Sequence, residues 1–476
     1  MSYNDWECVI GLEIHAQMST KSKIFSSDST EFGAPENTHI STVSIGLPGS
    51  LPVLNKRALE LSIRSGLALN CTISKESVFA RKNYFYPDLP KGYQISQFDK
   101  PLCIDGFVQF YLEGQEYKIQ IERAHMEEDA GKSTHLGEST LVDFNRAGIP
   151  LLEIVSKPDI RAPEEASAYA RAVRDILRYV KTCDGNLEEG SLRCDCNVSV
   201  RKKGDGKLGT KVEIKNINSF RFIEKALHYE FSRQVDTLES GGKIIQETRL
   251  YDSDKNKTFS MREKEEAHDY RYFPDPDLLP IRLSERDINT FKDEIPELPF
   301  DKLKRFVNEY ELSPLDASLL TSTIEMASYF EAVSNGCGNP KSAANWITGD
   351  LLRDLNENKI LIEESPIKAG RLAELIQTID QGKLSGKMAK QVFVEMFKTG
   401  ESSQEVVDRL GLKQISGEEE IKKLIQSVVN QYPDQVEQFK SGKTKVMGFF
   451  VGQVMKATKG QANPDVVNRL LLEILG

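Results

Sequence analysis

Two stretches of this chain carry a polar or ionisable side chain at every second position of an otherwise apolar run. In Val9-Ile10-Gly11-Leu12-Glu13-Ile14-His15-Ala16-Gln17, Leu12 and Ile14 fall on one side and Glu13, His15 and Gln17 on the other. In Leu192 to Arg201, Cys194, Cys196, Val198 and Val200 oppose Arg193, Asp195, Asn197, Ser199 and Arg201. Successive strand side chains point to opposite faces, so both stretches read as strands of a sheet with one covered face and one charged face. A carboxylate and an imidazole side by side on such a face can hold a divalent cation or exchange a proton. The alternative is a solvated strand face. Two Arg around an Asp suit a phosphate clamp beside a metal ligand.

Further ionisable residues sit in similar settings. His125-Met126-Glu127-Glu128-Asp129-Ala130-Gly131-Lys132 places three acids in succession, which fits either a Mg²⁺ site or a solvated acidic turn. Glu153 stands alone among Leu151, Leu152, Ile154 and Val155, where a carboxylate is costly to bury unless it is paired or bound to metal. The alternative for it is an edge strand that lets the carboxylate reach water. Lys211, Glu213 and Lys215 share one strand face. Two loops, Arg81 to Gln94 and Asp269 to Asp277, interleave tyrosines with cations, a composition suited to anionic or nucleic-acid ligands or to a packed loop. No Walker-type or dinucleotide glycine motif follows a strand, so any ATP site must be built differently.

Around these strands the periodicity predicts a helix from Pro163 to about Cys183, with Tyr169, Val173, Ile176 and Val180 on one stripe. A second helix is expected from near Ser219 to Leu238, ending at Gly241-Gly242. Pro274, Pro276, Pro280, Pro296 and Pro299 suggest a domain boundary, after which helical periodicity takes over. With 476 residues, roughly three domains are expected. No apolar run approaches the roughly 18 residues of a membrane helix. The first residues, rich in acids, do not resemble a secretory or transit leader, and the seven irregularly spaced cysteines fit a reduced cytoplasmic setting.

The net charge of −10 requires any nucleic-acid contact to be local. Such a place exists near the C-terminus. Between Glu437 and Asp465 there is no acid, but there are Lys440, Lys443, Lys445, Lys456 and Lys459. Lysines that neutralise phosphates give RNA-backbone affinity, the alternative being a solvated helix face. Helical spacing is expected to turn Phe449, Val451, Val454 and Met455 toward a core.

The runs GLEIHAQ (11–17), RKNYFYPDLPKGYQISQ (81–97), HMEEDAGKSTH (125–135), DFNRAGIPLLEIVSKPD (143–159), DGNLEEGSLRCDCNVSVR (184–201) and DYRYFPDPDLLP (269–280) are similar to those of the B subunits of bacterial aspartyl/glutamyl-tRNA amidotransferases, as is the tail stretch 448–471. The resemblance spans essentially the whole chain. It implies an α+β architecture: a kinase-like cradle with a mixed, largely antiparallel sheet and helices (1–292), then an all-α helical domain (293–402) and a tRNA-binding tail (403–476). It implies ATP- and Mg²⁺-dependent phosphorylation of the side-chain carboxylate of mischarged Glu-tRNA(Gln) or Asp-tRNA(Asn). Amidation then follows, with ammonia from an amidase-type A subunit in a complex that also holds a small C subunit. Glu13, His15, Glu128, Glu153 and Asp195 would be the catalytic carboxylates and imidazole, with His15, Glu128 and Glu153 as metal ligands. Lys82, Arg193 and Arg201 would clamp the nucleotide, and the five tail lysines would meet the tRNA. Some relatives carry zinc-binding cysteines where this chain has Ser26, Asp28, Ser41 and Ser44, so zinc is not expected. Two other readings are a tRNA scaffold with an inactive cradle, which would consume no ATP, and a standalone metal-dependent hydrolase, which would leave the basic tail without a purpose.

Overall fold

A computed structural model describes residues 3–263, 270–412, 418–443, 446–458, 462 and 464–475. The chain divides into two compact units, 1–302 and 303–476.

The first unit is built on a nine-stranded sheet. Its strands are β1 (Trp6–Gln17), β2 (Thr72–Ile73), β3 (Cys103–Leu112), β4 (Gln115–Glu128), β5 (Pro150–Ser156), β6 (Leu192–Lys202), β7 (Val212–Lys215), β8 (Glu247–Asp252) and β9 (Lys257–Glu263), in the spatial order β9-β8-β7-β6-β1-β5-β4-β3-β2. Every neighbouring pair is antiparallel except β7 and β8. The architecture is therefore α+β with a mixed, largely antiparallel sheet.

The alternation of the sequence is realised on β1. Leu12, Ile14 and Ala16 are buried in the core, while Glu13, His15 and Gln17 line the opposite face. Three helices cover the apolar face: α1 (Lys56–Ala68), α2 (Pro163–Tyr179) and α3 (Phe220–Glu239). Pro163 opens α2, with Glu164 and Glu165 in its first turn favouring the helix dipole. Tyr169, Val173, Ile176 and Leu177 pack inward, and the helix ends a few residues before Cys183. Ser219 caps α3 by accepting from the Phe222 amide, and Gly241 at φ +82° takes the left-handed turn that follows.

The proline-rich stretch is partly integral to this unit. Phe273–Pro274 forms an edge strand beside Ala80–Asn83, which pairs in turn with Tyr93–Ser96. An edge is where a proline lacking an N–H fits a sheet. The second unit is helical. Its last helices, Glu418–Gln431, Pro433–Lys440, Val446–Ala457 and Pro464–Leu475, close around Ile421, Ile425, Phe450, Val454, Leu470 and Leu471. Phe450 is the buried ring, and Phe449, expected inward, is exposed. The helix presents Phe450 and Val454, four residues apart, to the core, which turns Phe449 outward.

Glu230 of α3 is fully buried and fixes the edge strands. It accepts from Arg233 Nε at 3.0 Å, Gln234 Nε2 at 2.9 Å and Thr258 Oγ1 at 3.0 Å, with Arg249 Nε 3.6 Å away. Glu230→Ala leaves two guanidinium groups without their shared carboxylate and should cost about 3 kcal/mol. Chemical denaturation should show this as an earlier transition of the first unit. Loss of the exposed Lys255 side chain should move it by no more than about 0.5 kcal/mol.

Candidate active site

The register of the four central strands sets ionisable residues in a row. His15 on β1 lies opposite Arg193 on β6 and Glu153 on β5, and Glu153 lies opposite His125 on β4. Directly opposed side chains on one sheet face stand within interaction distance. His15 Nε2 lies 3.6 Å from Glu153 Oε2 and 3.6 Å from Glu127 Oε1, and His125 Nε2 lies 3.3 Å from Glu153 Oε2. Among the described residues, His15, Glu127 and Glu153 bring three ligating atoms within 4.8 Å of one another. Two carboxylates and one imidazole are a donor set that Mg²⁺ or Mn²⁺ accepts.

Burial and mutual charge set the protonation of this cluster. Burial opposes the charged form of His15, but Glu153, Glu127 and Asp195 outweigh it and raise its pKa to about 9. Burial and then the charge of Glu153 push Glu127 up to about 7. Glu153 is held well below the usual carboxylate range, because the two histidines overcome its desolvation. The cluster thus holds protons at neutral pH, which an entering cation must displace.

These groups line a cavity of about 560 Å³ with Glu13, Lys82, Gln94, Asp129, Arg193, Asp195, Glu213, Lys215, Thr248 and Tyr270. Asn197 Nδ2 donates to Glu13 Oε1 at 2.8 Å. Lys215 Nζ bridges Asp195 at 2.6 Å and Glu213 at 3.0 Å, and Thr248 Oγ1 donates to Glu213 at 2.7 Å. Arg193 Nη2 meets Asp129 Oδ1 at 3.0 Å, and Gln17 Nε2 donates to the other oxygen at 3.0 Å. Lys82 Nζ stands 4.9 Å from the Tyr270 ring centre.

Of the residues expected from sequence, Glu13, His15, Lys82, Glu153, Arg193 and Asp195 share this cavity. Glu128 does not reach it. Its carboxylate points to the other face of β4, where Lys91 Nζ donates at 2.6 Å and the Ile95 amide at 2.8 Å. Glu127 takes the place by the cluster. Arg201 lies at the far end of β6, bound to Glu7 at 2.6 Å and outside the cavity lining. The acidic run is no solvated turn, since Glu127, Glu128 and Asp129 are all buried. Nor does Glu153 lie on an edge strand: β5 runs between β1 and β4. Sequence reasoning misses Glu127 and Asp129 as site residues. Counting alternate positions from His125 would find Glu127.

Elsewhere, Asp28 Oδ2 accepts from Ser26 Oγ and Ser41 Oγ at 2.9 Å each, and from Ser44 Oγ. Burial works against the Asp28 carboxylate, but these hydroxyls lower its pKa. In the tail, Lys440, Lys443 and Lys456 are exposed, while Lys445 and Lys459 lie outside the described residues, as does Asp269 of the second tyrosine loop.

Two family models match this chain: the GatB/GatE catalytic domain over residues 8–289 and the GatB domain over 328–475. The chain is 57% identical over 476 residues to the B subunit of aspartyl/glutamyl-tRNA(Asn/Gln) amidotransferase from Bdellovibrio bacteriovorus, covering all of both chains. It is 55% identical to the protein of that name from Persephonella marina, over 99% of this chain and 100% of the relative. For the one from Coxiella burnetii the identity is 54% over 98% of this chain and 99% of the relative.

The geometry makes a prediction about metal binding that needs no turnover. In a Mn²⁺ titration followed by electron paramagnetic resonance, Glu127→Gln and Glu153→Gln should each weaken binding by about tenfold or more. Glu128→Gln, which changes the opposite face of the strand, should stay within about threefold of the unaltered protein.

Proposed function

This chain belongs to the family of aspartyl/glutamyl-tRNA(Asn/Gln) amidotransferase B subunits, and from that premise we propose that its cavity activates the side-chain carboxylate of a mischarged aminoacyl-tRNA. As a member of the family it is part of a tRNA-dependent, ATP-using amidotransferase, a ligase that takes its nitrogen from glutamine and works in a complex. The observation that carries the reading is the cavity itself. It joins a cluster able to bind a divalent cation with two lysines and an arginine, and no cysteine is among the described residues that line it.

A carboxylate is a poor electrophile because it is an anion without a good leaving group. Its oxygen attacks the γ-phosphorus of ATP, the bond to the bridging β–γ oxygen breaks, and ADP departs. The acyl phosphate so formed takes ammonia at its carbonyl carbon, and the C–O bond to phosphate breaks. One proton of the attacking nitrogen must leave. Phosphoryl transfer of this kind rests on positioning and charge stabilisation more than on a covalent nucleophile.

Each residue has a part in this. His15, Glu127 and Glu153 would hold Mg²⁺, which when bound neutralises phosphate charge. Lys82, Arg193 and Lys215 present cations to the phosphates. Asp129 and Gln17 orient Arg193, while Asp195 and Glu213 hold Lys215. Glu13 touches the neutral amide of Asn197, and we assign it the proton released by ammonia. Arg201 and Glu128, away from the cavity, take no part in this scheme. Zinc has none either, because Ser26, Asp28, Ser41 and Ser44 offer only oxygen donors.

The ammonia is proposed to come from an amidase-type A subunit, with a small C subunit completing a cytoplasmic complex. The proposed substrate is Glu-tRNA(Gln), Asp-tRNA(Asn) or both. The tail from about 403 is proposed as a separate tRNA-binding element, which the core around Phe450 and Leu470 supports.

Two outcomes test this function. In the purified complex, Glu153→Ala should abolish ATP-dependent amidation of each mischarged tRNA while glutamine hydrolysis persists. Full amidation by this variant at low Mg²⁺ would remove Glu153 from the mechanism. Deleting 403–476 should raise the KM for tRNA and leave that for ATP nearly unchanged. The salt dependence of tRNA binding should flatten by about one unit of slope, or slightly less, for each phosphate that the tail no longer neutralises. Equal affinity and slope would mean that the basic tail is only a solvated face.

A further inference from the structure

At the cavity wall begins a continuous row of aromatic rings that the phosphoryl chemistry does not use. Tyr270, a wall residue, lies 5.9 Å from Tyr84 and 6.1 Å from Tyr272, ring centre to ring centre, both edge-on. Tyr84 continues to Tyr86 at 5.9 Å. Tyr272 stacks on Phe98 at 4.0 Å with the planes 6° apart. The outer members are open to solvent, Tyr86 by 53% and Phe98 by 50%.

The row is held in place from behind. Asn83 donates its amide to Tyr270 O at 2.9 Å and its side chain to Arg271 O at 2.8 Å, tying the two tyrosine-bearing segments together. Lys82 sits over Tyr270 and Tyr84, with its ammonium 4.9 and 5.7 Å from their ring centres, and Arg271 is exposed between Tyr270 and Tyr272. Exposed rings interleaved with cations make a platform for single-stranded nucleic acid, where bases stack and cations meet the backbone.

We propose that this row binds the unpaired 3′ end of the aminoacyl-tRNA, with a terminal base extending the Phe98–Tyr272 stack. The inference rests on the function proposed above and adds a subsite to it. The reacting carboxylate is the side chain of an amino acid esterified to the last nucleotide. Once that carboxylate is in the cavity, the terminal bases must lie at its mouth, and Tyr270 connects the cavity to the row. The rings accept any base face, so the platform serves tRNAs that differ elsewhere.

The test compares binding of intact tRNA with tRNA trimmed of its single-stranded 3′ nucleotides, using the assembled complex. The unaltered complex should prefer intact tRNA by about tenfold or more, a stacking-sized difference. Phe98→Ala and Tyr272→Leu should each reduce that preference to roughly threefold or less, and Tyr272→Phe, which keeps the ring, should retain it. Phe98 is half exposed, so its truncation spares the core. The proposal is overturned if the variants keep the full preference, or if the unaltered complex shows none. It is also overturned if the variants raise the KM for ATP and leave the tRNA preference intact, since the rings would then stack the ATP adenine. Amidation by the unaltered complex is measured alongside. Its absence would remove the proposed function, and the binding ratio would still decide whether the row takes a 3′ end.

Discussion

The contact between His15, Glu127 and Glu153 is the constraint around which the first unit is arranged. Two carboxylates on neighbouring inner strands would repel each other in a region largely stripped of water. The imidazole between them, and His125 on the far side of Glu153, offset that repulsion. His125 Nδ1 is buried with no hydrogen-bond partner among the described residues, and its other nitrogen faces the Glu153 carboxylate. This arrangement requires four strands in fixed register, because a one-residue slip would bury the polar set and expose the apolar one. The helices on the opposite face secure the register by covering Leu12, Ile14, Cys194 and Cys196.

Much of this is legible in the sequence because strand alternation is a strong signal. The faces of β1 and β6 can be assigned residue by residue, and Glu13, His15, Arg193 and Asp195 line one cavity on the face so assigned. Reading the three acids after His125 as one cluster sets the same rule aside. Consecutive strand residues cannot share a face, which is why Glu128 is expected where Glu127 stands. Asp129 follows the strand end, where the period of two no longer holds; its amide bonds to Ile149 O and its carboxylate reaches the cavity.

Arg201 illustrates a different limit. It shares the alternation phase of Arg193, but eight residues of strand separate them by about 27 Å. Alternation assigns a face and says nothing of distance along it, which only the cavity outline supplies. Long-range pairings are equally out of reach. Nothing in the local sequence joins Thr248 to Glu213, or Glu230 to Thr258, since these contacts arise from the parallel β7–β8 pair and its neighbour β9. Helix boundaries are legible where a cap residue marks them, as at Ser219, whereas the choice between Phe449 and Phe450, about 100° apart around the helix, is made by what the helix packs against.

The two ends of the chain use electrostatics of opposite kinds. Lys215 in the cavity is flanked by two carboxylates, and Arg193 is braced against Asp129. Those ion pairs set their positions before any ligand arrives. Lys440, Lys443 and Lys456 are exposed, and under the proposed function they would meet a polyanion through a screened field. A reaction on a carboxylate attached to a large RNA needs both. Under the proposed function, capture of the RNA must be reversible, so that product leaves, and loosely held surface charge would provide that. Phosphoryl transfer must find its charges already oriented, and under the proposed function the paired side chains of the sheet would provide that. In a chain with a net charge of −10, each of these tasks falls to cations that are locally placed.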